Sequence, residues 1–203
     1  MIKAIVLDIG GVLLRTEDRS GRQALEKKFN LPTGGADELV FNSKPSVDST
    51  LGKVSADKIW ENLAEALSLS PQSLQEFKQA FWQGDQIDQE LLNYLVQLGP
   101  TLKTALLSNA WLDTRQELTM RYQIIEGQTV DHILISSELG IAKPDLRIYR
   151  ILADTLKCDF NQILFVDDFI ENIEAAKSLG IQTILYKPGM ELITAIQSKL
   201  DQQ

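Results

Sequence analysis

The segment I-K-A-I-V-L-D-I-G-G-V-L-L, residues 2–14, decides how the rest of the chain is read. Ile2 to Leu7 is apolar, rich in β-branched residues and followed closely by glycines, the pattern of a buried strand. Yet the run ends in a carboxylate, Asp8, with Gly10 and Gly11 just beyond it. A buried carboxylate is costly unless something compensates it, and paired glycines surrender chain entropy on folding. The stretch marks a place where chemistry outweighs stability.

Four further runs share the strand pattern. L-K-T-A-L-L (102–107) leads into Ser108 and H-I-L-I-S (132–136) into Ser137, while I-L-F-V (163–166) leads into Asp167 and Q-T-I-L-Y (182–186) into Lys187. They are apolar on both faces, as parallel strands covered on each side by helices must be. Helical spacing runs through Leu112–Tyr122, Asp145–Leu156, Ile170–Leu179 and Met190–Leu200, with Gly180 as a stop signal for the third. Strand and helix alternating from residue 102 onward predict an α/β fold built on a doubly wound parallel sheet.

Residues 15–98 read differently. They hold no convincing strand but several amphipathic helical segments, near 18–29, 36–43, 55–68, 71–82 and 87–98. Ser70-Pro71 places proline at a first helical position. This interval is far longer than a simple βαβ crossover requires. The predicted organisation is an α/β core over 1–14 and 99–203, a helical unit inserted over 15–88, and a returning helix over 88–98.

Composition bounds the function. The chain has 203 residues, 44% hydrophobic and 24% charged, which is ordinary for a globular protein. A net charge of −8 without a dense Lys/Arg block leaves no electrostatic footprint for nucleic acid. A phosphorylated small molecule remains compatible, since a local positive site can act inside an acidic protein. Cys158, the single cysteine, excludes an internal disulfide and a cysteine metal cage, and reads as a partly buried thiol. Lys3 and the short apolar run broken by Asp8 do not make a signal peptide or a membrane span, so a cytoplasmic protein with no membrane partner is expected. Oligomeric state is not legible.

In open α/β sheets, ligands sit beyond the carboxyl ends of the strands. Asp8-Ile9-Gly10-Gly11, Ser108-Asn109 and Asp167-Asp168 all fall there, and Lys143-Pro144 opens the helix after the third strand. Taken singly, Ser108-Asn109 and Asp167-Asp168 read equally as helix caps, and Lys143 as a solvated surface lysine. Taken together, three carboxylates on one edge repel one another and partly protonate unless a cation sits among them. Mg2+ suits them, as a hard ion that takes one or two carboxylates and keeps waters or phosphate oxygens. A hydroxyl, an amide and an ammonium then make a cradle for a phosphoryl group, and a carboxylate can serve as nucleophile. One shared ion requires Asp8 and Asp168 to approach within about 5–6 Å of each other.

The segments V-L-D-I-G-G-V-L (6–13), L-L-S-N-A (106–110), S-S-E-L-G-I-A-K-P-D-L-R-I-Y (136–149) and F-V-D-D-F-I-E-N-I-E-A-A (165–176) carry a resemblance over nearly the whole chain. In this order they are similar to the four motifs of the haloacid dehalogenase superfamily, in the branch with a small helical cap inserted after the first core strand. The resemblance implies a Rossmann-like core and a Mg2+-dependent phosphatase acting on a small phosphorylated metabolite, sugar phosphates included. It implies Asp8 as nucleophile and metal ligand, Ser108 and Asn109 on the phosphoryl oxygens, and Lys143 neutralising charge on both partners. Asp168 would bind the metal directly, Asp167 through a water, and Gly10 through its backbone carbonyl. Asn172, four residues beyond Asp168 and on the same helix face, would support them.

One departure matters. Most phosphatases of the superfamily carry a second aspartate two residues beyond the nucleophile, which protonates the leaving oxygen. Here that position is Gly10. A positioned general acid is typically worth ~10²–10⁴ in rate. Its absence is consistent with substrates whose leaving group needs little help, with replacement by Glu17 or Asp18, or with a catalytically weak regulatory or binding protein. A 2-haloacid dehalogenase is a lesser alternative, since it also lacks the second aspartate but needs no metal. Arg15, Arg19, Arg22 and Trp111 are candidates facing a cleft, with the arginines read first as a solvated helix face. Trp60, Phe81 and Trp82 fit a core within the helical unit. His132, at the start of a strand, is not expected to be catalytic.

Overall fold

The computed structural model describes residues 1–202. The chain opens with β1 (Ala4–Leu7), turns through β2 (Leu14–Thr16) and enters a run of helices. These are α1 (Ser20–Lys28), α2 (Gly35–Phe41), α3 (Lys44–Thr50), α4 (Asp57–Ala66) and α5 (Pro71–Trp82), after which β3 (Asp85–Ile87) returns beside β2. Then follow α6 (Gln89–Leu98), β4 (Lys103–Ser108), α7 (Thr114–Tyr122), β5 (His132–Ile135) and the short α8 (Ser136–Leu139). The remainder is α9 (Leu146–Leu156), a 3-10 turn at Phe160–Gln162, β6 (Ile163–Asp167), α10 (Ile170–Ser178), β7 (Gln182–Leu185) and α11 (Leu192–Asp201).

Five strands form one parallel sheet in the order β5-β4-β1-β6-β7, so the α/β doubly wound prediction holds. Alternate residues along β1 point to opposite faces. Ile5 and Leu7 join Leu91, Leu95 and Ile196 in one core, whereas Ala4 and Val6 join Tyr149, Leu152 and Ile173 in the other. With both faces covered, the strands have no reason to alternate apolar with polar. In this register Leu7 lies opposite Leu106 and Val166, which brings Asp8 level with the ends of β4 and β6.

The helices α1, α2, α4 and α5 gather around a third core that includes Leu25, Val40, Trp60, Leu63, Phe77 and Phe81. Ser70 caps α5 by accepting from the Ser73 N–H, with Pro71 in the first turn.

Two features of this interval differ from the sequence reading. The interval 15–98 does contain strand: β2 and β3 pair antiparallel, Leu14 opposite Ile87 and Thr16 opposite Asp85. Each has three residues and neither alternates cleanly, so only their pairing defines them. Helix α3 was also not anticipated, because K-P-S-V-D-S-T lacks an apolar stripe; Ser43 caps it. Among the described residues, no helix is long and apolar enough to cross a membrane.

Candidate active site

Lys143 organises the site. Only 4% exposed, it places Nζ 3.0 Å from Asp8 Oδ1 and 2.7 Å from Asp167 Oδ2, and donates to the Leu107 carbonyl at 2.9 Å. The three protons of the ammonium thus have three acceptors, and each of two buried carboxylates has a counter-charge. The lysine backbone is held as firmly. Asn109 Nδ2 donates to the Lys143 carbonyl, and Asn109 Oδ1 accepts from the Lys143 N–H, each at 2.8 Å. The Asn109 side chain therefore positions Lys143, a role the sequence did not suggest, and its amide keeps a second N–H beyond this pair.

Asp167, fully buried, also accepts from the Phe169 N–H at 2.8 Å and from Asn172 Nδ2 at 3.0 and 3.1 Å. Tyr149 donates to the Asn172 carbonyl at 2.9 Å, anchoring that helix turn. Asn172 is thus a support rather than ordinary helix surface. Asp167 and Asp168 do not act as the N-cap of α10, where Phe169 stands, nor do Ser108 and Asn109 cap α7, which starts at Thr114. The bland capping readings fail because each motif stops short of the helix that follows.

Asp168 turns the other way. Its Oδ1 is buried without a hydrogen-bond partner, and one oxygen each from Asp8, Asp167 and Asp168 lie within 4.8 Å of one another. Three carboxylates gathered this closely could hold a metal ion among them. Burial, then repulsion from Asp167, raises the Asp168 carboxyl above its ordinary range. Asp8 is pushed up to about 7, chiefly by burial, with Lys143 pulling down and Asp167 and Asp168 pushing up. An orphaned buried carboxylate oxygen beside two more acids, all raised or fully engaged, is a donor set suited to a divalent cation.

The glycines have distinct reasons. Gly11 has φ +79°, and a Cβ there would lie 2.2 Å from Asp168 Oδ2, so the close approach of Asp168 requires glycine. At Gly10 a Cβ would meet nothing within 4 Å. The space where a side chain could stand is open.

Other candidates separate clearly. Ser108, Asn109 and Trp111 line a cleft of about 1410 Å³ that runs from Asp8 between the sheet edge and the helical unit, as do Arg15, Arg19 and Arg22. The solvated-face reading is wrong for Arg22, which is 4% exposed and chelated by Asp85 at 2.7 and 2.8 Å. Glu17 is paired with Arg15 at 2.8 Å, and Asp18 accepts from the N–H and hydroxyl of Ser20, which holds its carboxyl below the usual range. Neither is free to stand in for an acid at position 10. His132 faces Glu126 at 3.6 Å, at the start of β5 and outside the cleft. Cys158 is a free, half-buried thiol.

A parallel α/β fold with an acidic cluster and a buried lysine at its strand ends defines a recognisable class of hydrolase. The chain belongs to the haloacid dehalogenase-like hydrolase family, whose model matches residues 2–180. It is 30% identical over 200 residues to D-ribitol-5-phosphate phosphatase of Bacteroides thetaiotaomicron, covering 94% of this chain and 95% of that one. It is 28% identical over 220 residues to pig bifunctional epoxide hydrolase 2, covering 97% of this chain but only 39% of the relative's length. A HAD family enzyme of Bacteroides thetaiotaomicron solved with magnesium and inorganic phosphate superposes with a TM-score of 0.69 at 22% identity, over 94% of this chain and 97% of that one. That likeness establishes the fold.

Proposed function

We propose that the protein is a Mg2+-dependent phosphomonoesterase that works through an aspartyl-phosphate on Asp8. The observation that carries this reading is the orphaned Asp168 Oδ1 facing a buried, lysine-paired Asp8. The phosphatase named among the relatives and the magnesium and phosphate found with the Bacteroides enzyme support it. Asp8, Asp168 and the Gly10 carbonyl are the metal ligands we assign, with Asp167 behind them; when bound, the ion would neutralise the phosphoryl oxygens.

Asp8 Oδ1 is tied to the Ile9 N–H and to Lys143, so Oδ2 is the oxygen we assign to attack. It forms the new P–O bond as the ester P–O bond breaks, and the departing alkoxide takes its proton from water. Water then attacks phosphorus and the bond from phosphorus to Asp8 Oδ2 breaks, which regenerates the Asp8 carboxylate and releases inorganic phosphate carrying the oxygen and protons of that water. Lys143 balances charge on Asp8 throughout, and Ser108 with the Asn109 backbone borders the phosphoryl group. We assign the helical unit over 15–88 as a cap, because it supplies the far wall of the cleft. A metal-free dehalogenase would leave the Asp168 oxygen without a purpose.

The test is phosphate release from a panel of phosphomonoesters, sugar and polyol phosphates among them. Turnover should require Mg2+ and vanish with EDTA; turnover indifferent to chelation would overturn the reading. A second variant probes the missing acid. Since a side chain at position 10 has open space, Gly10→Asp should raise kcat on ethyl phosphate by about tenfold or more. On 4-nitrophenyl phosphate, whose leaving group needs no proton, kcat should change little. Equal effects on both esters would exclude leaving-group protonation as the deficit.

A further inference from the structure

Beyond the phosphate site, the cleft carries charge that is already cancelled. Its cationic lining residues among the described residues are Arg15, Arg19, Arg22 and Lys143, and each is in an ion pair. Arg15 lies 2.7 Å from Asp88 and 2.8 Å from Glu17, Arg19 lies 2.6 Å from Asp37, and Arg22 bridges Asp37 and Asp85. With Glu26 3.9 Å from Arg19, three arginines thus face five carboxylates, so this wall has an excess of negative charge. Glu90, Glu171 and Glu191 also line the cleft. Arg15 and Arg22 have all three guanidinium nitrogens engaged, and Arg19 keeps unused N–H donors but has its charge balanced by Asp37 and Glu26, so the surplus of carboxylates repels a second anionic group brought close.

What the cleft offers instead is aromatic. Phe41, Trp82 and Trp111 line it with ring centroids 5.8, 6.0 and 6.2 Å apart. Trp111 stands three residues beyond Ser108, so the rings begin next to the phosphate cradle. Its indole N–H donates to Ser46 Oγ at 3.2 Å, which fixes the ring against α3. Phe41 is 39% exposed, a large apolar side chain turned toward solvent. Arg22 sits behind it, its guanidinium 4.2 Å from the Phe81 ring centroid and 5.7 Å from that of Phe41, stiffening the wall rather than facing a ligand.

We infer that the substrate is a phosphomonoester of an uncharged alcohol whose apolar or ring face lies on the Phe41–Trp82–Trp111 wall, and that esters bearing a second anionic group are rejected. This rests on the phosphatase reading and narrows it: bisphosphates and phosphorylated carboxylic acids are excluded, neutral alcohols retained.

The experiment compares ethyl phosphate, benzyl phosphate and 4-carboxybenzyl phosphate with Mg2+, three esters of alcohols with similar leaving-group acidity. Benzyl phosphate should exceed ethyl phosphate in kcat/KM by about tenfold, mostly through KM, as expected for one aromatic contact. The added carboxylate should lower kcat/KM about tenfold, and raised salt should shrink that penalty. Phe41→Ala should compress the benzyl-to-ethyl ratio. A carboxylated ester turned over as well as benzyl phosphate, or no benzyl preference, overturns the inference. If no ester is turned over, the phosphatase reading fails by itself, and calorimetry with benzylphosphonate, 4-carboxybenzylphosphonate and ethylphosphonate reads the same ranking as affinities. Equal affinities for the three would overturn the inference, and the same ranking would sustain it.

Discussion

Asp8→Asn should lower kcat on every accepted phosphomonoester by roughly 10⁴ or more, because the amide cannot form the acyl phosphate and no second nucleophile replaces it. The same substitution should stabilise the protein when no divalent cation is present. The Asp8 carboxyl is raised from 3.8 to about 7, mainly by burial. The folded state therefore binds this proton more tightly than the unfolded chain. Stability from that proton is present at low pH and is lost as pH rises from about 4 to about 7. Asparagine resembles the protonated acid and does not titrate. With EDTA, the variant should exceed the parent in stability at pH 8 by on the order of 1–3 kcal/mol, and the gap should close toward pH 5. Saturating Mg2+ should reverse the order, since an ion bound to the folded state alone stabilises only the protein that can hold it. Thermal melts in EDTA and in Mg2+ at the two pH values check all of this. A variant less stable than the parent at pH 8 without metal would contradict the picture of a site strained by its own carboxylates.

Lys143→Met is expected to have the largest structural effect. Methionine fills similar volume but leaves Asp8 and the fully buried Asp167 without their shared ammonium. Removing one partner of a buried ion pair typically costs about 3–5 kcal/mol. For a chain of this size each kcal/mol shifts Tm by about 2–4 °C, so a fall of roughly 6–20 °C is expected at pH 8. The loss should shrink at pH 5. Without the lysine, which holds it down, the Asp8 carboxyl is raised further, and a group with a raised folded value loses stability as pH increases. Activity should drop by about 10²–10³ as well, the usual effect of deleting one preorganised charge partner. A melt within 2 °C of the parent at pH 8 would mean that water or another group already solvates the two acids, contrary to the observed burial; the 2 °C threshold is about the smallest shift a 1 kcal/mol change gives.

Much of the core was legible from residues in order. The strand ends of β1, β4 and β6 were announced by polar residues that break apolar runs at Asp8, Ser108 and Asp167. The helical character of 20–82 was equally plain from its spacing, apart from α3. What the sequence hid were contacts between distant segments. The ribbon of β2 and β3 joins residues some seventy positions apart and has too few residues for a pattern. Arg22 looked like an exposed charge because its partners, Asp37 and Asp85, lie on other elements. Asn109 was legible only as a neighbour of the phosphoryl group, and only the fold shows its amide also bracing the Lys143 backbone.

Local order alone determined which residues carry the chemistry, because a carboxylate or lysine set at the end of a buried strand announces its own desolvation cost. Tertiary structure decided what those residues can still do. A side chain is available to a ligand only when its hydrogen-bonding capacity is not already used, and that depends on neighbours far away in the chain. Asp168 keeps an oxygen without a partner, whereas Asp167, Arg15 and Arg22 are spoken for.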